Sequence, residues 1–424
     1  CKALETIQLE QSADNPNDVF FCKLLDANKS AVKAFRVGWL RSTPELLASL
    51  AQCSNLTELN VDSRSQGADP SVVQQGISQI ARSCRKIQRL VVTAGGGLSQ
   101  DGVSELLQAG LPLRELTVRD LLVKSMSQLA APASRCLRKL KVEQFSQGTP
   151  GVLQALVKQL NLLRVLDSLE VWGWLNLRDQ NTHQVALSLL TDLSWNSADV
   201  PKFVAAELKS LRLQYVRQES IVDLIERCPR LEVIQLPREH GCVNQAHFER
   251  LRDAELPALR VFECGYIART FPALRAPQLT HVQVRVDGPV DSTEPLRALL
   301  AESPRLESLK LTVGPYMCNG PMECKQWSAA SVQPAKRLRS LALEYADDQL
   351  LSSLDFPALT ALDLTSLYVR AFVVDQAFSR MPKLTNLSTR AFAFKLSAQS
   401  ASSQARFPEL QSLSIRASGN QTHD

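Results

Sequence analysis

The sequence predicts an α/β solenoid, a curved horseshoe with short parallel strands on its concave face and helices and irregular segments on its convex face. Three observations predict it. An apolar triplet of fixed spacing recurs through the 424 residues. The last two members of each triplet lie two residues apart, which on a strand turns both toward one core. Between triplets, apolar residues often recur at three- and four-residue steps, as in amphipathic helices. We therefore expect residues 1–424 to form one repeat domain.

The triplet has the form Leu-x-x-Leu-x-Leu, with Ile, Val, Phe or Cys as substitutes. About sixteen copies occur at a mean spacing of roughly 27 residues, which is typical of one class of solenoid repeat. Since one short strand cannot bury its apolar face alone, we expect the strands to stack in parallel around a shared core. The copies begin at Leu4, Val32, Leu56, Ile87, Leu113, Leu137, Leu166, Leu208, Leu231, Leu259, Leu279, Leu306, Leu338, Leu359, Leu384 and Leu410.

The stretches between triplets predict helices, and two of them depart from the regular spacing. Helices are expected at residues 44–50, 103–107, 221–226 and 294–300. The longest interval between triplets predicts an insertion around residues 172–207, with a helix over residues 183–193. An irregular loop is expected around residues 314–335, where Cys318 and Cys324 form either a free pair of thiols or a disulfide.

These repeats resemble the leucine-rich-repeat superfamily over nearly the whole chain. The segments C-P-R-L-E-V-I-Q-L at residues 228–236 and S-P-R-L-E-S-L-K-L at 303–311 are similar to repeats of the F-box substrate receptors of ubiquitin ligases. The resemblance implies a protein partner on the concave face and a ligase adaptor bound through an N-terminal module ahead of Cys1. The asparagine that usually follows the triplet is absent, which predicts a less uniform arc. Its positions hold Arg64, Gly95, Leu121, Phe145, Trp174 and Val216.

Composition and charge narrow the class of partner. The formal net charge is +5, and basic and acidic residues alternate along the chain without a long block of one sign. This balance gives no electrostatic reason to expect a nucleic acid or an anionic membrane as partner. No apolar run approaches the roughly 18–20 residues that a membrane span needs. The first residues carry no signal sequence and open within a repeat, so we expect a piece of a longer protein.

The cysteines favour an intracellular protein, cytoplasmic or nuclear. Cys53, Cys84 and Cys228 each stand three residues before a triplet, in a position that elsewhere holds Leu, Ala or Phe, and this predicts a core role. The clustered cysteines that cap extracellular members of the resembled superfamily are absent. Glycosylation sequons at Asn28, Asn55, Asn386 and Asn420 favour an extracellular location, but more weakly. The sequence therefore favours an intracellular location.

No catalytic, cofactor or metal site is expected. None of the five histidines accompanies a nucleophile elbow or a recognisable Ser/His/Asp order. The glycine-rich stretch at residues 92–102 could cradle a phosphate, but it lacks the Gly-Lys-Ser/Thr ending of a P-loop. A turn between repeats, with Ser99 or Asp101 capping the next helix, explains it fully and is the preferred interpretation. We expect a non-enzymatic protein.

The middle third of the concave face is the candidate partner site. Aromatic and arginine side chains dominate the energetics of protein interfaces, and several such residues fall on nearby predicted strands. The alternative is that Trp172 packs against the predicted insertion. The candidate partner-binding residues are Arg119, Lys139, Lys141, Trp172, Arg212 and Tyr215.

Three functions remain open from the sequence. The leading hypothesis is a protein-interaction scaffold, of which a ubiquitin-ligase substrate receptor is the most specific form. The second is a regulator of a GTPase, and an activator of that kind would need a protruding arginine near one end of the array. The third is an extracellular recognition receptor, which attached glycan at Asn28 or Asn420 would support.

Overall fold

The computed structural model describes residues 4–9, 18–38, 43–62, 70–93, 108–119, 136–144, 152–173, 184–196, 200–214, 218–236, 255–268, 274–287, 299–313, 337–343, 356–364, 372–373, 381–390, 394–395 and 409–416. The chain forms two compact units, and each is described by itself. Unit 1 comprises Cys1–Leu208 and unit 2 comprises Lys209–Asp424.

Unit 1 contains a parallel sheet in the order β1-β2-β3-β4-β5-β6-β7-β9, beside a separate parallel pair, β8 and β10. Its strands are β1 (Thr6–Leu9), β2 (Ala34–Gly38), β3 (Glu58–Asp62), β4 (Arg89–Thr93), β5 (Glu115–Arg119), β6 (Lys139–Gln144), β7 (Ser168–Gly173), β8 (Gln184–Ala186), β9 (Asp192–Asn196) and β10 (Lys202–Val204). Its helices are α1 (Asp18–Asn28), α2 (Pro44–Ala51), α3 (Pro70–Ser83) and α4 (Val152–Leu160).

Unit 2 repeats the arrangement with a parallel sheet in the order β11-β12-β13-β14-β15-β16-β17-β19-β21 and a parallel pair, β18 and β20. Its strands are β11 (Ser210–Gln214), β12 (Val233–Leu236), β13 (Val261–Ala268), β14 (His281–Asp287), β15 (Ser308–Val313), β16 (Ser340–Leu343), β17 (Ala361–Leu364), β18 (Phe372–Val373), β19 (Asn386–Arg390), β20 (Phe394–Lys395) and β21 (Ser412–Arg416). The helix α5 (Gln218–Glu226) precedes β12.

The triplets lie on these strands in one register, so corresponding leucines are neighbours across the sheet. The middle leucine of the triplet pairs Leu59 with Leu90, Leu90 with Leu116, and Leu116 with Leu140. All four side chains are buried, and the same holds for the first apolar residue of each of these triplets. Each unit therefore stacks its strands around a continuous apolar core, and the predicted α/β leucine-rich-repeat solenoid is confirmed.

A backbone ladder at the start of each strand links consecutive repeats. One carbonyl oxygen accepts the N–H groups of two successive residues in the next repeat, as Lys33 does from Thr57 and Glu58. Thr57 also donates its hydroxyl to the Lys33 carbonyl at 2.9 Å, and Thr191 and Thr280 make the equivalent bond to the preceding repeat. This ladder satisfies backbone groups at the entry of each strand.

Two of the described helices, α2 and α5, follow the sequence signals closely. α2 begins where Thr43 caps it by accepting a hydrogen bond from the Leu46 N–H, with proline at its first position. The predictions for residues 44–50 and 221–226 are confirmed by α2 and α5. Residues 299–302 are helical, as the end of the 294–300 prediction requires, whereas residues 103–107 lie outside the described residues.

The predicted helix over residues 183–193 is wrong, because the segment forms β8, a turn and the start of β9. Leu190, Leu193 and Trp195 are all buried and continue the triplet register, with Leu169 pairing with Leu193 and Val171 with Trp195. The stretch predicted as an insertion thus contains a further repeat. The sequence pattern concealed it because tryptophan takes the third apolar position of the triplet.

The position three residues before the triplet is a core position where it holds cysteine, as predicted, whereas Lys29 and Gly110 are exposed at the same position. Cys53, Cys84 and Cys228 are fully buried there. Burial raises the pKa of Cys53 to about 11, that of Cys84 to about 12 and that of Cys228 to about 11, so these thiols are neutral at pH 7. The Cys84 Sγ lies 3.3 Å from the Cys53 carbonyl oxygen, which joins two consecutive repeats. The loop with Cys318 and Cys324 lies outside the described residues.

Ser303 occupies the same position in unit 2 and is out of place there. It is buried, and its hydroxyl has no hydrogen-bond partner among the described residues. We expect Ser303→Ala to raise the free energy of unfolding by about 1 kcal/mol, because it removes a buried polar group that makes no hydrogen bond. Chemical denaturation followed by circular dichroism measures this. An equal or lower stability would show that the hydroxyl is satisfied in solution.

No helix within the described ranges combines the length and the apolar character that crossing a lipid bilayer requires.

Candidate functional site

The candidate site is the outward face of the unit 1 sheet, where side chains alternate with the buried leucines. Its first row precedes the middle leucine of each triplet, its second row lies between the last two apolar residues, and its third row follows them. The first row runs Thr6, Ala34, Glu58, Arg89, Glu115, Lys139, Ser168 and Asp192. The second row runs Gln8, Arg36, Asn60, Val91, Thr117, Lys141, Glu170 and Ser194.

A continuous chain of ion pairs crosses the outward face from β2 to β6. Arg36 contacts Glu58 at 2.5 Å, and Glu58 also lies 3.8 Å from Arg89. Arg89 in turn contacts Glu115 at 3.4 Å, and Glu115 contacts Lys139 at 3.3 Å. Each pair is partly exposed and contributes little stability alone, but a network of this kind holds its side chains in order. The face therefore presents alternating charges that compensate one another.

Lys141 is the centre of a second cluster, where the second and third rows meet. Its Nζ lies 2.9 Å from a carboxylate oxygen of Glu143, 2.8 Å from one of Glu170, and 5.3 Å from the centre of the Trp172 ring. Burial alone lowers the pKa of Lys141, but the hydrogen bonds to Glu170 and Glu143 outweigh it and the pKa lies above its ordinary value. Lys141 is therefore charged and held by neighbours of its own chain.

Trp172 combines internal packing with an exposed surface. Its ring lies beneath Lys141, and in the register of the sheet it stands between Glu143 on β6 and Asn196 on β9. The residue is half-buried, and its indole N–H is buried without a hydrogen-bond partner among the described residues. The ring is thus fixed in place while part of its surface faces solvent.

The six predicted partner-binding residues do not all come together. Lys139 and Lys141 lie on β6 and Trp172 on the adjacent β7, so three of them share one area of unit 1. Arg119 ends β5 opposite Glu143, but its side chain lies outside the described residues. Arg212 is exposed on β11, which belongs to unit 2, and Tyr215 lies outside the described residues.

The acidic partners of these lysines were not assigned from the sequence. Glu115, Glu143 and Glu170 neutralise the positive charges of Lys139 and Lys141. A signal for the pairing exists, because residues of opposite sign occupy the same position in consecutive triplets. The pairing becomes evident only once the register is known.

Two of the glycosylation sequons use their asparagines within the fold. Asn28 accepts a hydrogen bond from the Leu4 N–H at 3.0 Å and donates one to the Leu24 carbonyl at 2.8 Å. Asn55 donates to the Ser30 carbonyl at 2.8 Å. The bonds to Leu4 and Ser30 join residues 24 and 25 positions apart in the chain, and a glycan on either amide would compete with these bonds. Asn420 lies outside the described residues.

The described residues offer little for catalysis. They hold no group of three or more His, Cys, Asp and Glu side chains that could bind a metal ion. His281 is exposed on β14, and its Nδ1 lies 2.8 Å from the Thr280 hydroxyl. The glycine-rich stretch at residues 92–102 lies almost wholly outside the described residues.

Comparison with known proteins finds distant likenesses to solved structures. No known family profile matches the sequence, and no curated protein is similar to it. The chain is similar to a solved chain from the yeast complex of Rad7 and Elc1, at 16% identity and a TM-score of 0.40, over 93% of this chain and 91% of that one. It is also similar to a leucine-rich-repeat protein of Leptospira interrogans, at 15% identity and a TM-score of 0.43, over 97% and 93%. Neither likeness is close enough to carry a function from one protein to another.

Proposed function

We propose that this chain is a non-catalytic scaffold that binds a partner protein on the outward face of the unit 1 sheet. The observation that carries the proposal is the ordered mixture of charges next to the half-exposed Trp172. A parallel sheet fixes these side chains in rows. A rigid surface of this kind binds a partner with little loss of conformational freedom.

The charges favour a protein over a polyanion. A nucleic-acid groove is expected to be basic throughout, with aromatic residues between the cations. Here every lysine or arginine with a described side chain in the first two outward rows, from Arg36 to Lys141, has a glutamate partner on the same face. Mixed polar surroundings with an aromatic anchor are typical of protein interfaces.

Trp172 and Lys139 are the residues from which we expect most of the affinity. Tryptophan is enriched among the residues whose truncation weakens protein binding most. Lys139 is exposed on the neighbouring strand β6, where it pairs in register with Ser168, and its Nζ lies 3.3 Å from Glu115. The Lys141 Nζ lies over the ring of Trp172, 5.3 Å from its centre.

The narrower form of the proposal is the substrate receptor of a ubiquitin ligase in the cytoplasm or nucleus. It rests on the resemblance of residues 228–236 and 303–311 to repeats of F-box receptors. In that role the outward face would hold the target protein. A separate helical module would contact the ligase adaptor.

Affinity capture with matched variants tests the scaffold proposal. Trp172→Ala and Lys139→Glu are each expected to reduce the capture of bound proteins from native extract about tenfold or more, because they remove an aromatic anchor and reverse a charge. Lys158→Glu is the control, since Lys158 is exposed on α4, away from the sheet. Quantitative mass spectrometry measures the loss, and thermal melting confirms that the variants fold.

Equal capture by all three variants would contradict the assignment to the outward face. For the narrower role, a captured protein should be ubiquitinated more slowly in extract that contains the Trp172→Ala variant. An unchanged rate would refute the ligase role and leave the scaffold role standing.

A further inference from the structure

The turns that lead into the strands of unit 1 form an edge whose charge differs from that of the outward face. The entry edge is defined here as the described residues of the turns before β4, β5, β6 and β7, with the residue that directly precedes each strand. Its charged members are Arg85, Lys86, Arg114, Arg138, Arg164 and Asp167. Basic residues therefore dominate, with Asp167 as the acidic residue of the described turns.

The hydrogen-bond ladder establishes that the entries of these four strands are neighbours in space. The Arg114 N–H donates to the Gln88 carbonyl before β4, the Arg138 N–H to the Arg114 carbonyl, and the Asp167 N–H to the Arg138 carbonyl. At about 4.8 Å between strands, the four entries form a row about 14 Å long. All five basic side chains are exposed.

The positive charge of this edge is held in place without being neutralised. Arg85 donates to the Ala109 carbonyl of the next turn, and Lys86 donates to the Asn55 side chain at 2.6 Å. Both acceptors are neutral, so they orient the cations and leave the charge uncompensated. Among the described residues, Arg114 and Arg164 have no acidic partner, and the exposed pair of Arg138 with Asp167 at 3.6 Å is weak.

An apolar area continues the edge where the basic row ends. Leu162, before β7, is 56% exposed, and Leu189, before β9, is 52% exposed. Val204, on the outer side of β10, is 43% exposed. β10 pairs with β8, and the Asn161 side chain bonds to the Gln184 carbonyl and the Ala186 N–H of β8, so these residues belong to one area.

We propose that the entry edge of unit 1 is a second binding surface, which takes an extended acidic segment of a partner protein followed by aliphatic side chains. Four or five extended residues, at about 3.3 Å each, span the basic row and bring the following residues to Leu162 and Leu189. Carboxylates match the row of arginines, with which they form paired hydrogen bonds. The apolar segment covers the exposed leucines.

The aliphatic area decides between a protein and a nucleic acid as the occupant. Single-stranded nucleic acids bind basic grooves in which aromatic side chains stack on the bases. The described part of the entry edge presents leucine and valine beside its arginines and no exposed aromatic ring. An anionic lipid surface is flat, whereas this edge changes from basic to apolar along one line. A polypeptide of matching order fits both parts.

Fluorescence anisotropy with a synthetic probe tests the proposal. The probe is a labelled peptide in which a run of glutamates precedes leucines and valines, and its control is a peptide of the same composition in scrambled order. We expect the ordered peptide to bind the whole chain more tightly than the scrambled one. The double variant Arg114→Glu/Arg164→Glu should weaken this binding about tenfold or more. Leu162→Ser/Leu189→Ser should remove the preference for the ordered peptide.

Two control variants test whether the peptide binds specifically to the entry edge. Arg260→Glu changes the corresponding exposed position before β13 in unit 2 and should leave the binding unchanged. Trp172→Ala should also leave it unchanged, because the outward face is a different surface. The scaffold proposal and the entry-edge proposal can therefore fail independently.

Four outcomes overturn the proposal. They are no binding of the ordered peptide, equal binding of the scrambled peptide, binding that survives Arg114→Glu/Arg164→Glu, and tighter binding of a thymidine oligonucleotide or of phosphatidylserine vesicles through the same arginines. Thermal melting of each variant establishes that a loss of binding is not a loss of fold.

Discussion

Replacing Trp195 with alanine is expected to lower the free energy of unfolding by about 3–5 kcal/mol. The side chain is fully buried in unit 1, where its ring meets Phe203 edge to face at 5.4 Å between centroids. Alanine would leave a cavity at the third position of the triplet, where β9 pairs with β7. Urea unfolding followed by circular dichroism measures the effect.

Trp172→Ala is the matched control. Trp172 follows Val171, the residue on β7 that pairs with Trp195, and its side chain faces outward. We expect it to cost much less than Trp195→Ala. Equal losses for the two variants would mean that Trp195 does not occupy a core position, and the additional repeat formed by residues 190–195 would then be wrong.

Gly76→Ala is expected to destabilise unit 1 by about 1–3 kcal/mol, although alanine favours helices more than glycine does. A Cβ at this position of α3 would lie 2.6 Å from the Leu47 Cβ and 2.6 Å from its Cδ1 on α2. The two helices would have to move apart, which disturbs the apolar contacts beneath them. The midpoint of urea unfolding measures the change.

A double-mutant cycle separates this steric effect from any other. In a Leu47→Ala background two of the three nearest atoms are absent, so Gly76→Ala should cost less there than in the wild type. Gln79→Ala, at an exposed position of α3, should be neutral or mildly stabilising. Additive effects at residues 47 and 76 would contradict the close approach of the helices.

The parts of the fold that depend on local spacing were predictable from the sequence. The triplets predict the strands and their buried faces because each strand needs the same two apolar positions, whichever repeat it belongs to. The repeat that contains Trp195 was not predicted, because the triplet pattern was restricted to aliphatic residues, phenylalanine and cysteine and did not include tryptophan. The hydrogen-bond ladder at the strand entries could not be predicted for a different reason. It is formed by backbone carbonyls and N–H groups, which every repeat has whatever its side chains are.

The candidate site was less predictable, because its chemistry lies between repeats. Lys141 is basic in the sequence, but Glu143 and Glu170 neutralise it in the sheet. At the entry edge the fold has the opposite effect on charge. Basic residues that alternate with acidic residues along the sequence lie in one row there. Both results require the register between strands, which fixes the neighbours of each side chain across distances of about 20 to 30 residues.

The shared carbonyl at each strand entry has a consequence for how this architecture can change. Because two amides of one repeat bind one oxygen of the previous repeat, the joint between them is made by main-chain atoms. Substitutions in the outward rows or in the exposed turns leave that joint intact. Recognition can therefore be altered residue by residue, toward a new partner, without a matching change in the framework that displays it.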